Sequence, residues 1–390
     1  FGLTEMLKRS CPHGRLETCQ ACLPVSVACI CVAWFGRHLG HSGRGFLTAV
    51  DQRNGFVWHK RYKGYAVQNV RIGTIGNGPS KPIRPLRHER RSVSVSSLAQ
   101  QSVDASAGFL AFAGKAYAVL LLVVFVLQRK LIFLPSKQIA DPRAYSTNLE
   151  VVRVAGPKDT AQSNLAAIYF RPKPFKPVAV FFHGNADQLG WGPTFLGNQL
   201  QQVGLGFYGI EYPGYGLAQP GSPTEESIYA SAETMLDHLT AKLKVEKSML
   251  VMVGQSIGCG AAVEMVRRGY GQKLVLLSPF TSLLALSQRI YPMFSPALTL
   301  FPFLLKDKFD NLAKAKQLDS KTLVIHGDAD EIVSYDMGRE LAEAIPGAIF
   351  QTSKGLGHND LLDSAEVLSL IARFACEAND NATADTSGKK

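Results

Sequence analysis

The feature that most restricts the fold of this chain is a series of short apolar runs in its C-terminal two-thirds. They are Glu150–Val154, Ala166–Phe170, Val178–Phe182, Gly206–Glu211, Met249–Val253, Lys273–Leu277, Thr322–His326 and Ile349–Gln351. Several are apolar throughout, the pattern of strands covered on both faces. Helix-like segments such as Ser227–Lys244 and Met337–Ala344 separate the later runs, whereas the first two follow one another without a helix. This order predicts an α/β domain over residues 131–376. Its antiparallel start feeds a mostly parallel, eight-stranded sheet flanked by helices. The polar residues 377–390 are expected to be disordered.

One motif gives this sheet a chemistry. Gly254-Gln255-Ser256-Ile257-Gly258 follows the run Met249–Val253 and precedes a helical stretch, Gly260–Arg268. A GxSxG sequence between strand and helix makes a sharp elbow that lifts the serine hydroxyl above the carboxyl edge of the sheet. Its glycines serve where a Cβ would collide. The amide groups at the following helix N-terminus face the place where an oxyanion develops. A serine at neutral pH needs a base, and the base needs an orienting carboxylate. With the elbow first, the expected chain order is Ser, acid, His.

Only His326 and His358 follow Ser256. His326 ends a strand before any acid in the following loop, which leaves His358, in Gly357-His358-Asn359-Asp360, as the base. The loop Gly327–Val333 offers Asp328, Asp330 and Glu331. Asp330 is preferred by position, with Asp328 read as a brace of the turn and Glu331 as solvent-facing. A second oxyanion donor is expected from His183-Gly184-Asn185-Ala186, after the run Val178–Phe182. The donors are then the backbone N–H groups of Asn185 and Ile257, with His183 holding the loop. This chemistry calls for no metal or organic cofactor.

The N-terminal part is different in kind. Residues 1–104 carry 15 Lys+Arg against 5 Asp+Glu, whereas the remainder carries 27 against 26 out of the chain totals of 42 and 31. The strong net charge is thus a property of the extension and gives no support for a nucleic-acid groove in the folded domain. Residues 1–104 have no sustained periodicity and are expected to be a disordered basic extension or a targeting sequence. The chain opens on Phe1, so a start further upstream is expected. Cys11, His13, Cys19 and Cys22 match no standard zinc spacing. Cys29 and Cys31 lie in an apolar run beside Arg37, a context that suits S-palmitoylation.

Gly108–Leu127 is an apolar stretch of about 30 Å as a helix, the thickness of one hydrocarbon core. Lys115 interrupts it at a cost of roughly 2.5–3.5 kcal/mol, which about a dozen flanking apolar residues at roughly 0.3–0.6 kcal/mol each offset. A single membrane-spanning helix is expected there; the alternative is a helix packed on the catalytic domain. The long basic tail favours a cytosolic N-terminus. The sequon Asn381-Ala382-Thr383 then lies on the far side of the membrane.

Taken in order, the motifs resemble the membrane-anchored α/β-hydrolase-domain-containing proteins, especially subfamilies thirteen and seventeen and the fungal bud-emergence-type relatives. The resemblance runs from about Leu131 to Phe374. It rests on Phe133-Leu134-Pro135-Ser136, His183–Ala186, Glu211-Tyr212-Pro213-Gly214-Tyr215-Gly216, Gly221-Ser222-Pro223-Thr224-Glu225, Gly254–Gly258, His326–Val333 and Gly357–Asp360. It implies the α/β-hydrolase fold and a triad of Ser256, Asp330 and His358. Glu211 departs from the commoner Asp, and Leu217-Ala218-Gln219 from the usual small polar turn. The membrane-helix candidate is as in subfamily thirteen and unlike the peripheral depalmitoylating branch, with its dense cysteine cluster.

The segment Pro279–Asp319, between two strands, is the usual cap position; its many Leu and Phe residues suit an acyl pocket, a bilayer contact or plain packing. The expected function is hydrolysis of carboxylic esters or thioesters, lipid or acyl-protein in type, by a single-pass protein of an endomembrane such as the ER. A peptidase of the same fold, or a non-catalytic membrane adaptor, is the rival reading.

Overall fold

In a computed structural model of the chain, residues 47–51, 56–60, 95–136, 138–156 and 164–377 are described. The cysteine-rich part of the extension, its targeting and palmitoylation features, and Asn381 lie outside them. A first unit, residues 1–112, contains a hairpin of β1 (Leu47–Asp51) and β2 (Phe56–Lys60). This hairpin and the helical residues from Val95 onward are the described elements of the stretch up to residue 104.

The second unit holds the expected sheet. Its strands are β3 (Glu150–Ala155), β4 (Asn164–Phe170), β5 (Val178–Phe182), β6 (Gly206–Ile210), β7 (Leu250–Gln255), β8 (Lys273–Leu277), β9 (Lys321–Gly327) and β10 (Ile349–Ser353). They lie in the order β10-β9-β8-β7-β5-β6-β4-β3. β3 and β4 pair antiparallel, as do β4 and β6, and every pair from β6 through β10 is parallel. All eight strands fall where the apolar runs predicted them. The inner strands β5, β6, β7 and β8 are buried along their whole length because helices cover both faces.

The helices are α1 (Val95–Ile132), α2 (Gly192–Gln202), α3 (Glu225–Ala241), α4 (Gly258–Arg267), α5 (Leu283–Ile290), α6 (Ser295–Leu300), α7 (Asn311–Ala315), α8 (Tyr335–Ala344) and α9 (Ala365–Cys376). One face of the sheet packs α3 and α4 over Tyr208, Met252 and Leu276; the other packs α2 and α9 over Phe181, Val253 and Ile325. α3 starts at Thr224, whose hydroxyl accepts the Ser227 N–H while the Ser227 hydroxyl accepts the Thr224 N–H, a reciprocal cap. The Gly221–Glu225 block of the sequence thus builds a helix start.

α1 is longer than the apolar stretch 108–127 that announced it. The part from Ser106 to Ile132 is long and apolar enough to cross a membrane, by length and composition. Its half-buried positions, Ala113, Ala116, Tyr117, Leu120, Leu121, Val124 and Phe125, recur at three- and four-residue steps and lead to buried Gln128. One stripe of the helix therefore packs on the domain. The outward stripe remains apolar, with Val119 61%, Leu122 61% and Val126 63% exposed.

Two buried charges organise the second unit. Glu264 on α4 accepts hydrogen bonds from Arg267 (2.7 Å) and Arg268 (2.9 Å) and pairs with Lys314 (2.9 Å). Burial pushes its carboxyl up, but the three cations outweigh this and hold it down to about 2. A depressed carboxylate stabilises the fold at pH above its unfolded value and ceases to do so as pH falls through its folded value. Glu264→Gln is therefore expected to cost about 2–4 kcal/mol at pH 7, as when one partner of a buried pair is removed. In urea melts this difference from the parent should shrink between about pH 4.5 and pH 2.

The other is Lys273, at the start of β8. Its ammonium donates to the carbonyls of Phe374 (3.1 Å), Ala375 (2.9 Å) and Glu377, and so caps the end of α9.

Candidate active site

β5, β7, β9 and β10 run parallel in one sheet, so the loops after them emerge at a common carboxyl edge. Each expected site residue sits in one of these loops. Ser256 follows β7 directly and adopts φ 53°, the left-handed region that a non-glycine residue enters only under constraint. The constraint comes from its neighbours. A Cβ on Gly254 would lie 2.6 Å from Cys259 Cα, and one on Gly258 would lie 2.1 Å from the Phe182 carbonyl oxygen. The elbow is thus pressed against the end of β5 with no room for a side chain on either flank.

His358 and Asp330 are brought into contact. His358 Nδ1 lies 2.8 Å from Asp330 Oδ2, with the imidazole largely buried and the carboxylate wholly so. Asp330 Oδ1 accepts the N–H groups of Ile332 (2.9 Å) and Val333 (2.8 Å). Oδ2 also meets His326 Nε2 at 3.2 Å. Burial alone would raise the Asp330 carboxyl, but the hydrogen bonds from His326 and His358, the His358 charge and the Val333 N–H hold it well below the usual carboxylate range. It is a fixed anion that holds Nδ1 of His358 as the proton-bearing nitrogen.

The other two acids of the loop go elsewhere. Asp328 is exposed and accepts the Gly355 N–H at 2.6 Å, bracing the turn that carries His358. Glu331 faces solvent. His326 was expected only as a strand end. The structure places it wholly buried behind the Asp330 carboxylate, where Nε2 also reaches the Val333 carbonyl at 3.0 Å. The only sequence signal for that role is its position four residues ahead of the acid at the end of β9.

The loop after β5 is braced from two sides. His183 Nε2 meets Glu211 Oε1 at 3.0 Å and Nδ1 meets the Gly184 carbonyl at 2.8 Å, both side chains fully buried. Burial disfavours charge on His183, but the Glu211 hydrogen bond and charge outweigh it, and its pKa is raised. Glu211 also accepts the N–H groups of Leu189 and Leu217, both at 3.2 Å, so this departure from the commoner Asp ties the loop after β5 to the loop after β6.

Asn185 does something the sequence did not announce. Its Oδ1 accepts the Leu134 N–H (3.0 Å) and the Tyr215 hydroxyl (2.8 Å), and its Nδ2 donates to the Ile132 carbonyl (2.5 Å). The end of α1 is thereby fastened to the loop whose backbone N–H was expected to hold an oxyanion.

An eight-stranded sheet of this order, with a strained serine elbow after its central strand β7, decides the fold. The chain is an α/β hydrolase by fold. A family model described as serine aminopeptidase, S33, matches residues 173–308, the stretch that includes the elbow. Curated relatives are similar over more than half of the chain. α/β Hydrolase domain-containing protein 17C of Mus musculus is 27% identical over 237 residues, 60% of this chain and 71% of that protein. Protein 17B of Homo sapiens is 28% identical over 221 residues, 56% of this chain and 73% of that protein.

These relatives bear out the resemblance to subfamily seventeen. Among solved structures, an esterase of Pyrococcus furiosus superposes with a TM-score of 0.50 at 15% identity, covering 62% of this chain and 97% of that one. That likeness carries the fold alone. Together the family model and the relatives support a hydrolase.

Proposed function

We propose that this α/β hydrolase is a membrane-attached serine hydrolase that cleaves carboxylic esters or thioesters of lipid or acyl-protein type. The observation that carries the reading is the strained Ser256 elbow at the same sheet edge as a buried His358–Asp330 pair. With Nδ1 of His358 committed to Asp330, Nε2 is the ring nitrogen left to act as base. In the first half-reaction Nε2 takes the Ser256 proton while Oγ bonds to the acyl carbon. The oxyanion rests on the N–H groups of Ile257 and Asn185, and the imidazolium returns its proton to the departing alcohol or thiol. Water, deprotonated by Nε2, then attacks the acyl carbon; the bond to Oγ breaks, the imidazolium gives its proton to Ser256 and the acid leaves. Asp330 stays ionised throughout and stabilises the imidazolium.

The apolar outward stripe of α1 supports attachment to a membrane, and a single-pass position in an endomembrane such as the ER is the corresponding localisation. Full-length protein in membranes is expected to resist carbonate extraction; release by carbonate would replace the spanning helix with a peripheral attachment. The matched model's description, serine aminopeptidase, favours amide hydrolysis as a second reading. Both readings expect a fluorophosphonate probe to label the protein, with labelling lost in Ser256→Ala. Paired turnover of acyl esters, thioesters and aminoacyl amides separates them. A folded protein that the probe does not label overturns both and leaves an adaptor.

A further inference from the structure

Between Arg289 and Lys306 the cap contains sixteen consecutive residues, Ile290–Leu305, without a charge. An uncharged stretch of this length on a surface needs a covering. Here four large apolar side chains point outward: Leu300 is 72% exposed, Phe303 70%, Phe301 48% and Met293 45%. Water is a poor neighbour for such a contiguous apolar surface.

The same segment lies along α1. The Tyr117 hydroxyl donates to the Met293 carbonyl at 2.9 Å. Eleven residues further on, Gln128 Nε2 donates to the Leu304 carbonyl at 3.0 Å and Gln128 Oε1 accepts the Lys306 N–H at 2.8 Å. Arg129 then pairs with buried Asp307 at 2.8 Å. Asp307 in turn accepts the Glu225 N–H at 2.9 Å, which ties this end of the cap to the start of α3.

The spacing along the helix fixes a depth. Arg129 and Lys130 are the first charged residues after Lys115 and mark the headgroup level at this end of the apolar window. Tyr117 lies twelve residues before Arg129, or about 18 Å along the helix axis. At a tilt of about 40°, the upper end of what membrane helices adopt, the depth along the bilayer normal is still about 14 Å. Half of a hydrocarbon core is about 15 Å. Whatever the tilt, a cap residue bonded to Tyr117 is carried to the neighbourhood of the bilayer centre, while one bonded to Gln128 stays near the headgroups.

We propose that the cap segment Ile290–Leu305 is embedded in the bilayer beside α1, Met293 deep and Phe303 shallow. The occupant of its apolar surface is the acyl chains of the leaflet nearest the catalytic domain. The inference rests on the membrane-attached reading above and deepens it. The cap leaves the sheet from the carboxyl end of β8, next to β7, whose end carries Ser256. A cap sunk in hydrocarbon therefore brings the edge bearing Ser256 toward the membrane surface, where acyl groups enter sideways from the leaflet rather than from water.

The test is a depth measurement on the full-length chain in phosphatidylcholine vesicles. Met293→Trp and Phe303→Trp are made separately, and fluorescence is read against the parent chain to remove Trp34, Trp58 and Trp191. Quenching is compared between lipids brominated near the headgroup and near the chain ends. Trp at 293 is expected to be quenched at least twofold more by the deep bromines, and Trp at 303 at least twofold more by the shallow ones. If the chain resists carbonate but neither position is quenched, the cap is covered by water or protein and the proposal falls while the anchor stands. Equal or reversed depths also overturn it. If carbonate releases the chain, the anchor reading and the proposal fall together.

Discussion

Ser256→Ala is expected to lower kcat by on the order of 10⁶, and His358→Ala by about as much, because a nucleophile and its base act as one unit. Asp330→Asn should cost less, roughly 10⁴, and the hydrogen bonds say how. Oδ1 of Asp330 accepts two backbone N–H groups, from Ile332 and Val333, so this position must remain an oxygen in the amide. The new NH₂ group then takes the place of Oδ2, 2.8 Å from His358 Nδ1. It donates to Nδ1 and drives the ring proton to Nε2, the wrong side for a base. Asp328→Asn is the control, since that exposed carboxylate accepts the Gly355 N–H in the turn and does not touch His358. Steady-state kinetics on a p-nitrophenyl acyl ester, with a melting curve for each variant, measures the series. If folded Asp328→Asn loses activity and Asp330→Asn keeps it, the acid is misassigned.

Gly258→Ala should be among the most disruptive methyl groups in the domain. Its Cβ would sit 2.1 Å from the Phe182 carbonyl oxygen and 2.8 Å from that of His183, both backbone atoms that cannot turn aside. Relief requires the elbow and the end of β5 to part, which is expected to cost about 3–5 kcal/mol, in the upper range for single substitutions. Because Phe182 leads directly into His183-Gly184-Asn185, kcat should also fall, by roughly 10²–10³, the size of a lost oxyanion donor. Gly184→Ala provides the contrast. Its Cβ meets only the Gln255 side chain, at 3.6 Å, an ordinary contact. Its melting midpoint should stay close to the parent's, so any loss of rate there reports on the substrate. A Gly258→Ala protein as stable and active as the parent would mean that the elbow is not held against β5.

The sheet was legible in the sequence because each strand is a short apolar run between turn formers, and β5 and β8 begin and end at the predicted residues. α1 was only half legible. Its apolar centre was visible, but its N-terminal turns from Val95 are polar and carry no periodic signal. Ser256 and His358 followed from chain order. Asp330 was separable from Asp328 only by position, because the contact that occupies Asp328 comes from Gly355, in a distant loop. His326 and Asn185 were under-read for the same reason. Their partners, Asp330 in one case and Ile132 and Leu134 in the other, are set by tertiary placement that no local pattern encodes. The Arg129–Asp307 pair joins residues 178 positions apart and leaves no mark at either end.

Lys273 has a consequence for how the polypeptide comes together during synthesis. β8 lies between β7 and β9 inside the sheet, and its first residue is a buried ammonium whose acceptors are the carbonyls of residues 374, 375 and 377. Those residues leave the ribosome about a hundred positions after Lys273, so the three carbonyls that accept from this ammonium in the folded domain are made long after β8 itself. At translation speeds of roughly 5–20 residues per second, the interval lasts on the order of ten seconds. This corner of the sheet therefore gains its full set of contacts only after α9 has been made.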